Sequence, residues 1–478
     1  MFSKVYVDRV LNPCYVNWKK FGIDISYRVH HAHLVMLEKQ GIISRDVART
    51  IKQGMETIEK DFVYPSSIPE NTEDLYFVFE KELGKRIGED KAGFLHTARS
   101  RNDMDAALFR MHVRTRMLEL LEKIHVLCTT LEQRINGESG GDPIILYTHG
   151  QPANVSSLGH YLSSMLTNIS DSVEALLLAF KMVNRSPMGA CAITTTGFPI
   201  DRELVSDLLG FDGLVLNSYE AISTSHWLTF PSGALKTLLT DIGRYMADML
   251  HKASCEVGIL WFPDSLVQIS SIMPQKRNPV ILEHVRIQGS LSMGILAGIE
   301  DLFRNIPFQD VNEAGDAALD EFSRAMDMAL SCVDLFTETV RNIEVVKNRV
   351  AEISAAYGIS TTELADSMVR DFGISFREAH GLTSAFVKSN YSKHTLREKF
   401  REGGFGELAY TDDEIDRILS PENFIRVRKV PGGPAKEGME PLRKLCEENN
   451  KRLGHEIKRI KDHLEAADKK LDDYFRKL

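Results

Sequence analysis

No stretch of about 18 apolar residues occurs anywhere in this chain, so no membrane span is expected. The opening residues, Met1-Phe2-Ser3-Lys4-Val5, lack the apolar core of a secretory leader. Cysteine is sparse: Cys14, Cys128, Cys191, Cys255, Cys332 and Cys446 are scattered, with no Cys-x-x-Cys pair. That spacing suggests neither a zinc site nor a disulfide framework, and it fits free thiols in a reducing compartment. Positive charge is not in excess either. A net charge of −9 leaves no basic face of the kind nucleic-acid binding needs, so no nucleic-acid partner is expected. Small anionic substrates are not excluded, because they need only a few local cations. Alternating strand patterns are nearly missing, with a hint only near Ala190–Thr196. A soluble, cytoplasmic protein is the expectation.

What is present is helix. Hydrophobic residues make up 43% and charged residues 26% of 478 positions, an ordinary globular balance for about two to four domains. Tyr27–Gln40, Asp103–Ile135, Ser157–Val183, Gly233–Val257, Ile281–Leu302 and Leu319–Val340 carry apolar residues at helical spacing without internal proline. Such long helices, apolar on more than one face, fit a bundle core buried partly between subunits. The fold class is therefore all-α. Ser139-Gly140-Gly141-Asp142-Pro143, Ser186-Pro187-Met188-Gly189 and Val430-Pro431-Gly432-Gly433-Pro434 punctuate the chain. Beyond the last lies a charged tail, Glu437–Leu478, whose weak stripe of Leu442, Leu445, Leu453, Ile457, Ile460 and Leu464 predicts a terminal helix or helical hairpin docking on the body.

Three segments carry chemistry. In Leu95-His96-Thr97-Ala98-Arg99-Ser100-Arg101-Asn102-Asp103, short polar residues precede a helix, where free N–H groups and the dipole favour an anion. Ser100 and Asn102 can donate hydrogen bonds there, and Arg101 or Arg99 can fork a carboxylate. A plain N-cap with solvent-facing arginines would look the same. In Tyr147-Thr148-His149-Gly150-Gln151-Pro152-Ala153, His149 is the side chain that exchanges protons near neutrality, with Thr148 and Gln151 beside it. His160 reads as a packed helix histidine. The third segment, Ser270-Ser271-Ile272-Met273-Pro274-Gln275-Lys276-Arg277-Asn278-Pro279, lies between a preceding apolar helical segment and a following helix, with Glu283 just beyond. Glycine is absent from it. Lys276 offers a point charge and Asn278 an amide. Ser270 or Ser271 could act as a base only with cations and backbone donors nearby. A surface loop with a capping serine is the bland alternative.

Taken together and in this order, the three strings resemble the signature motifs of the fumarase/aspartase superfamily. Within it the chain is most similar to the argininosuccinate lyase family. Further support comes from Ala32-His33-Leu34-Val35-Met36-Leu37, Phe198-Pro199-Ile200-Asp201-Arg202-Glu203-Leu204, and Glu363-Leu364-Ala365-Asp366 followed by Phe376-Arg377-Glu378-Ala379-His380. The similarity spans roughly residues 20–435. It implies a three-domain subunit divided at 1–102, 103–345 and 346–435, with the tail at 436–478. The middle domain would supply a five-helix bundle, and a homotetramer would build a twenty-helix core with each active site shared among three subunits. No metal or organic cofactor is implied.

The implied reaction is anti β-elimination from an N-substituted aspartate, releasing fumarate. By the same resemblance Ser270 is the base, while Lys276 and Asn278 hold the developing dianion. Thr148, Ser100 and Asn102 fix the substrate carboxylates with Arg101 nearby; Gln151, Ser271, Arg304 and Gln309 complete the binding set. His149, paired with Glu283, serves the acid side.

The amine side departs from the family. Its Asp-Ile-His reads Asp74-Leu75-Tyr76, and its Ser-Asp/Glu-Arg-Asp reads Ser223-Thr224-Ser225-His226. Its Tyr-Asn-x-Asp-Leu-Gln-x-Asp-Lys reads Arg304-Asn305-Ile306-Pro307-Phe308-Gln309-Asp310-Val311-Asn312, and Cys191 and Thr195 stand where glycines are usual. The substrate is thus either argininosuccinate or, in a paralogous lyase, another N-substituted aspartate. A non-enzymatic crystallin-like role is disfavoured by the presence of Ser270, His149 and Lys276. Adenylosuccinate lyase and fumarase are disfavoured by the His96–Asp103 and Phe198–Leu204 strings.

Overall fold

A computed structural model describes residues 2–478. Helix α1 (Asn12–Lys39) continues directly from a π-helical stretch, Val7–Leu11, and buries the whole run Val29–Leu37. Helices α2 (Arg45–Asp61) and α3 (Leu75–Ile87) start at Ser44 and Asp74, whose side chains accept from Val47 and Phe77 N–H groups. They pack with α1 into the first, N-terminal layer.

Five long helices form the centre: α4 (Arg101–Asn136), α5 (Leu158–Val183), α6 (His226–Ala253), α7 (Val280–Arg304) and α8 (Asp316–Asn342). Each packs on the next, and α8 closes back on α4. Their directions follow from cross-contacts. Tyr161 donates to Asp248 at 2.6 Å, so α5 and α6 are antiparallel. Ser292 donates to the Ala325 carbonyl at 2.8 Å and Cys332 Sγ to the Val285 carbonyl at 3.5 Å, so α7 and α8 are antiparallel. His112 meets Ser323 and Lys123 meets Asp334, so α4 and α8 run parallel. All six expected helical segments fall within these elements and α1, apart from a few terminal residues.

The boundaries of α6 need correction. It starts at His226 rather than Gly233 and runs through Pro231, and it stops at Ala253 rather than Val257. Packing explains the early start: Trp227 and Leu228 are buried, with Trp227 stacked on Phe109 at 5.4 Å. The burial free energy of that turn outweighs one lost helical hydrogen bond at the proline.

Two strand expectations also fail. Ala190–Thr196 forms turns instead of a strand, whereas Pro143–Thr148 (β1) and Gln151–Ser157 (β2) make an antiparallel hairpin. Leu260–Trp261 (β3) pairs with Glu344–Val345 (β6), and Gln268–Ile269 (β4) pairs with Arg277–Asn278 (β5). Helix α9 (Lys347–Tyr357) packs against the first hairpin. Residues 361–426 then hold a separate small core around Leu364, Met368, Phe386, Phe400 and Ile415.

The tail is one helix, α10 (Lys436–Lys477), lying along α4, α5 and α1. Leu453, Ile457 and Ile460 are buried as the stripe requires, and Leu442 and Leu464 are partly covered; Leu445 instead faces solvent, 45% exposed. Phe475 stacks on His31 at 3.7 Å and extends the docked face to the end of the helix. Among the described residues, no helix is long and apolar enough to cross a membrane.

Candidate active site

The amino end of α4 is built by a capping box. Ser100 Oγ accepts from the Asn102 N–H at 3.3 Å, while Asp103 Oδ1 accepts from the Ser100 N–H at 3.0 Å. The other Asp103 oxygen accepts from the N–H groups of Gly189 and Cys191 at 2.9 and 3.0 Å. Burial nevertheless raises the Asp103 pKa to about 6, against the opposing pull of these three donors. This residue therefore fastens the 189–191 turn beneath the helix start.

Arg99 is not available to a ligand, contrary to expectation. Its side chain is buried, with Nη1 bonded to His30 Nδ1 at 2.9 Å. Burial, reinforced by that guanidinium, drives His30 and His33 well below the ordinary imidazole pKa. Arg101 is the accessible arginine; it pairs with Glu73 at 2.9 Å and with Asp74. Asn102 Nδ2 donates to Asp310 Oδ2 at 3.0 Å. Arg304, paired with Asp301, and the exposed Gln309 lie in the same region, at the carboxyl end of α7 and just past it. Tyr76 is buried, and its hydroxyl meets His96 Nδ1 at 2.7 Å and Glu80 at 2.8 Å.

The neighbouring turn explains why glycine is usual at 191 and 195. Cys191 has φ +53 and Thr195 φ +62, both in the left-handed region. For a β-branched residue this costs roughly 1–2 kcal/mol. Thr195 is exposed, so Thr195→Gly relieves the strain without opening a cavity. After the added unfolded-state entropy, a net gain of ~0.5–1 kcal/mol is expected. A urea or thermal unfolding midpoint that falls in this variant would contradict the strain assignment.

The Thr148 segment sits on the first hairpin, which sequence reading missed. Thr148 pairs with Gln151, leaving His149 and Gly150 as a two-residue turn with φ +53 and +73. Those angles match a type I′ hairpin turn, and a His-Gly pair between Ile/Leu/Tyr and Val/Ser runs was the available signal. Thr148, His149 and Gln151 are all exposed at the tip.

The third segment is also a hairpin rather than a loop directly following a helix; sixteen residues, 254–269, separate it from α6. Ser270 N–H donates to the Lys276 carbonyl at 3.2 Å, and Lys276 N–H to the Met273 carbonyl at 3.0 Å. Ser270 Oγ receives the N–H groups of Ile272 and Met273 at 3.3 and 3.0 Å. These are backbone donors of the kind a serine base requires, since they stabilise an oxyanion. Asn278 Nδ2 donates to the Gln268 carbonyl at 3.1 Å. Ser271 and Lys276 are exposed, and among the described residues the Lys276 ammonium has no hydrogen-bond or ion-pair partner.

One chain does not bring these groups together. Helix α4 spans 36 residues, about 54 Å at 1.5 Å per residue. Ser100, Arg101, Asn102, Arg304 and Gln309 lie at its amino end. Thr148, His149, Gln151, Ser270, Ser271, Lys276, Asn278 and Glu283 lie toward its carboxyl end. Glu283 is exposed in the first turn of α7, and no hydrogen bond joins it to His149 within the described residues. Asp310, which sequence reading did not single out, is the residue actually in contact with Asn102.

Residues 21–294 match the family model described as Lyase, and residues 359–426 match the one described as Argininosuccinate lyase C-terminal. The chain is 39% identical to argininosuccinate lyase 2 of Agrobacterium fabrum, covering 91% of this chain and 88% of that protein. The chain belongs to the argininosuccinate lyase family. As a member of that family it is an enzyme, a carbon–nitrogen lyase. The argininosuccinate lyase of Methanocaldococcus jannaschii is 31% identical, covering 89% of this chain and 88% of the relative. Among solved structures, an EDDS lyase variant with bound fumarate is similar with a TM-score of 0.84 and 25% identity, covering 98% of this chain and 92% of that one. The all-α fold of the argininosuccinate lyase family is thus present over nearly the whole chain.

Proposed function

We propose that this enzyme eliminates fumarate from argininosuccinate, leaving arginine, and does so as a cytoplasmic homotetramer. The observation that carries the assembly is the separation of the candidate groups at opposite ends of the bundle. Only an antiparallel neighbour can bring a Thr148–His149 tip or a Ser270–Asn278 hairpin to a Ser100–Asn102 helix end. The outward face of α7 suits such a neighbour: Ile287 and Leu291 are exposed, and a Cβ added at Gly294 or Gly298 would meet nothing within 4 Å. Small residues on an apolar face allow close helix packing. The domain division at 102, 345 and 435 belongs to the same reading, with the separate small core supporting the third domain.

In the assembled site Ser270 Oγ reacts as the alkoxide, held by the Ile272 and Met273 N–H groups, and takes the proton from the carbon beside a substrate carboxylate, becoming the neutral hydroxyl. The electron pair moves into that carboxylate, giving a dianion held by Lys276 and Asn278; it then returns to form the double bond of fumarate as the C–N bond breaks. Ser100, Asn102 and Thr148 hold carboxylate oxygens, with Arg101, Gln151, Ser271, Arg304 and Gln309 around them. His149, with Glu283 behind it, returns a proton to the leaving nitrogen.

A paralogous lyase acting on another N-substituted aspartate is the second reading. It is favoured by Tyr76, whose hydroxyl is spent on His96 and Glu80, and by Ser225–His226, where the family's arginine is missing. Absorbance of released fumarate separates the two. Release from argininosuccinate supports the first; no release, with addition of fumarate to another amine in the reverse direction, establishes the second.

A further inference from the structure

The loop between α7 and α8, residues 305–315, lies against the candidate carboxylate site of its own subunit. Asn102 Nδ2 donates to Asp310 Oδ2 at 3.0 Å, and at 3.5 Å to the Ala192 carbonyl. Tyr219 pins the same loop, donating its hydroxyl to the Phe308 carbonyl and stacking edge-on against the Phe308 ring at 5.6 Å. Asp310 itself is exposed and holds no ion pair among the described residues. A carboxylate without a cationic partner therefore sits at the amino end of α4, held by the Asn102 amide on the side where the helix dipole favours an anion.

We infer that Asp310 is an internal substitute for a substrate carboxylate, which must displace it to bind. The inference rests on the reading of Asn102 as a carboxylate ligand. The amide of Asn102 has two N–H bonds, and one of them is committed to Asp310. An incoming dicarboxylate needs that donor and must also enter beside a fixed negative charge. The Asn102–Asp310 contact thus divides the protein into a self-occupied state and an open state. Apparent affinity for a dicarboxylate is lowered by the fraction that is open. Asp310 sets how strongly the enzyme selects ligands able to displace it, and fumarate as product meets the same barrier as substrate.

Asp310→Asn removes the charge at constant shape, and Asp310→Ala removes the contact. Both changes fall on an exposed loop residue, so folding should be preserved. Titration calorimetry with fumarate as probe should show tighter binding in both variants, by about three- to tenfold. KM for the turned-over substrate should fall by a similar factor. The gain should shrink in the Asn102→Ala background, where only relief from the Asp310 charge remains. If wild-type protein binds fumarate and Asn102→Ala weakens it, the reading of Asn102 stands. Unchanged or weaker fumarate binding in the Asp310 variants then overturns the inference alone, and weaker binding would make Asp310 a ligand rather than a competitor. Fumarate binding indifferent to Asn102→Ala removes both.

Discussion

Ser270→Ala abolishes measurable fumarate release, and Lys276→Ala does the same, in variants that remain folded. The expectation follows from what each group touches. Ser270 Oγ holds two backbone N–H groups, at 3.3 and 3.0 Å, on an exposed hairpin. Its removal deletes the proposed proton acceptor but buries nothing and opens no cavity. The Lys276 ammonium has no partner within the described residues, so it is free to meet a dianion as charge develops. Removing one such stabilising group costs ~10²–10³ in rate, and removing the base itself costs at least as much. The readout is kcat by fumarate absorbance, with unfolding midpoints as the control on folding. Near-wild-type kcat in either variant would remove that residue from the chemistry. A lower kcat with an unfolding midpoint shifted by several degrees would instead point to a structural role for the hairpin.

The five central helices were legible because a 3.6-residue period repeated over more than six turns leaves little room for another structure. The exact start of α6 was not, because Pro231 reads locally as a stop while the burial of Trp227 and Leu228 is a tertiary effect. The hairpin carrying His149 escaped for a related reason. Its strands are six and seven residues long, and its turn is His-Gly rather than the stronger Asn-Gly signal. Motif strings located the candidate groups but could not say which were free. Arg99 and Arg101 stand two positions apart, and only the packing of α1 reveals that Arg99 is buried against His30. The Asn102–Asp310 contact joins residues 208 positions apart and has no local signature at all.

Asn102→Ala and His149→Ala, each expected to be inactive alone, should restore activity when co-assembled. Asn102 lies at the amino end of α4, while the hairpin bearing His149 follows its carboxyl end, about 54 Å away along a 36-residue helix. No motion of a packed helix closes that distance, so on the proposed reading the groups of one site come from different chains. In a mixed assembly, some sites take the helix end from a His149→Ala subunit and the hairpin from an Asn102→Ala subunit. Such a site carries neither substitution. Sites of the opposite composition carry both and stay silent, so recovery is partial by construction. Co-expression with two affinity tags isolates the mixed species, and kcat per subunit is compared with each parent. If one chain built its own site, every site in the mixture would carry one lesion and activity would stay at the parental level. That outcome would overturn the shared-site reading while leaving the family assignment untouched, because the motif strings and the fold do not depend on how the subunits meet.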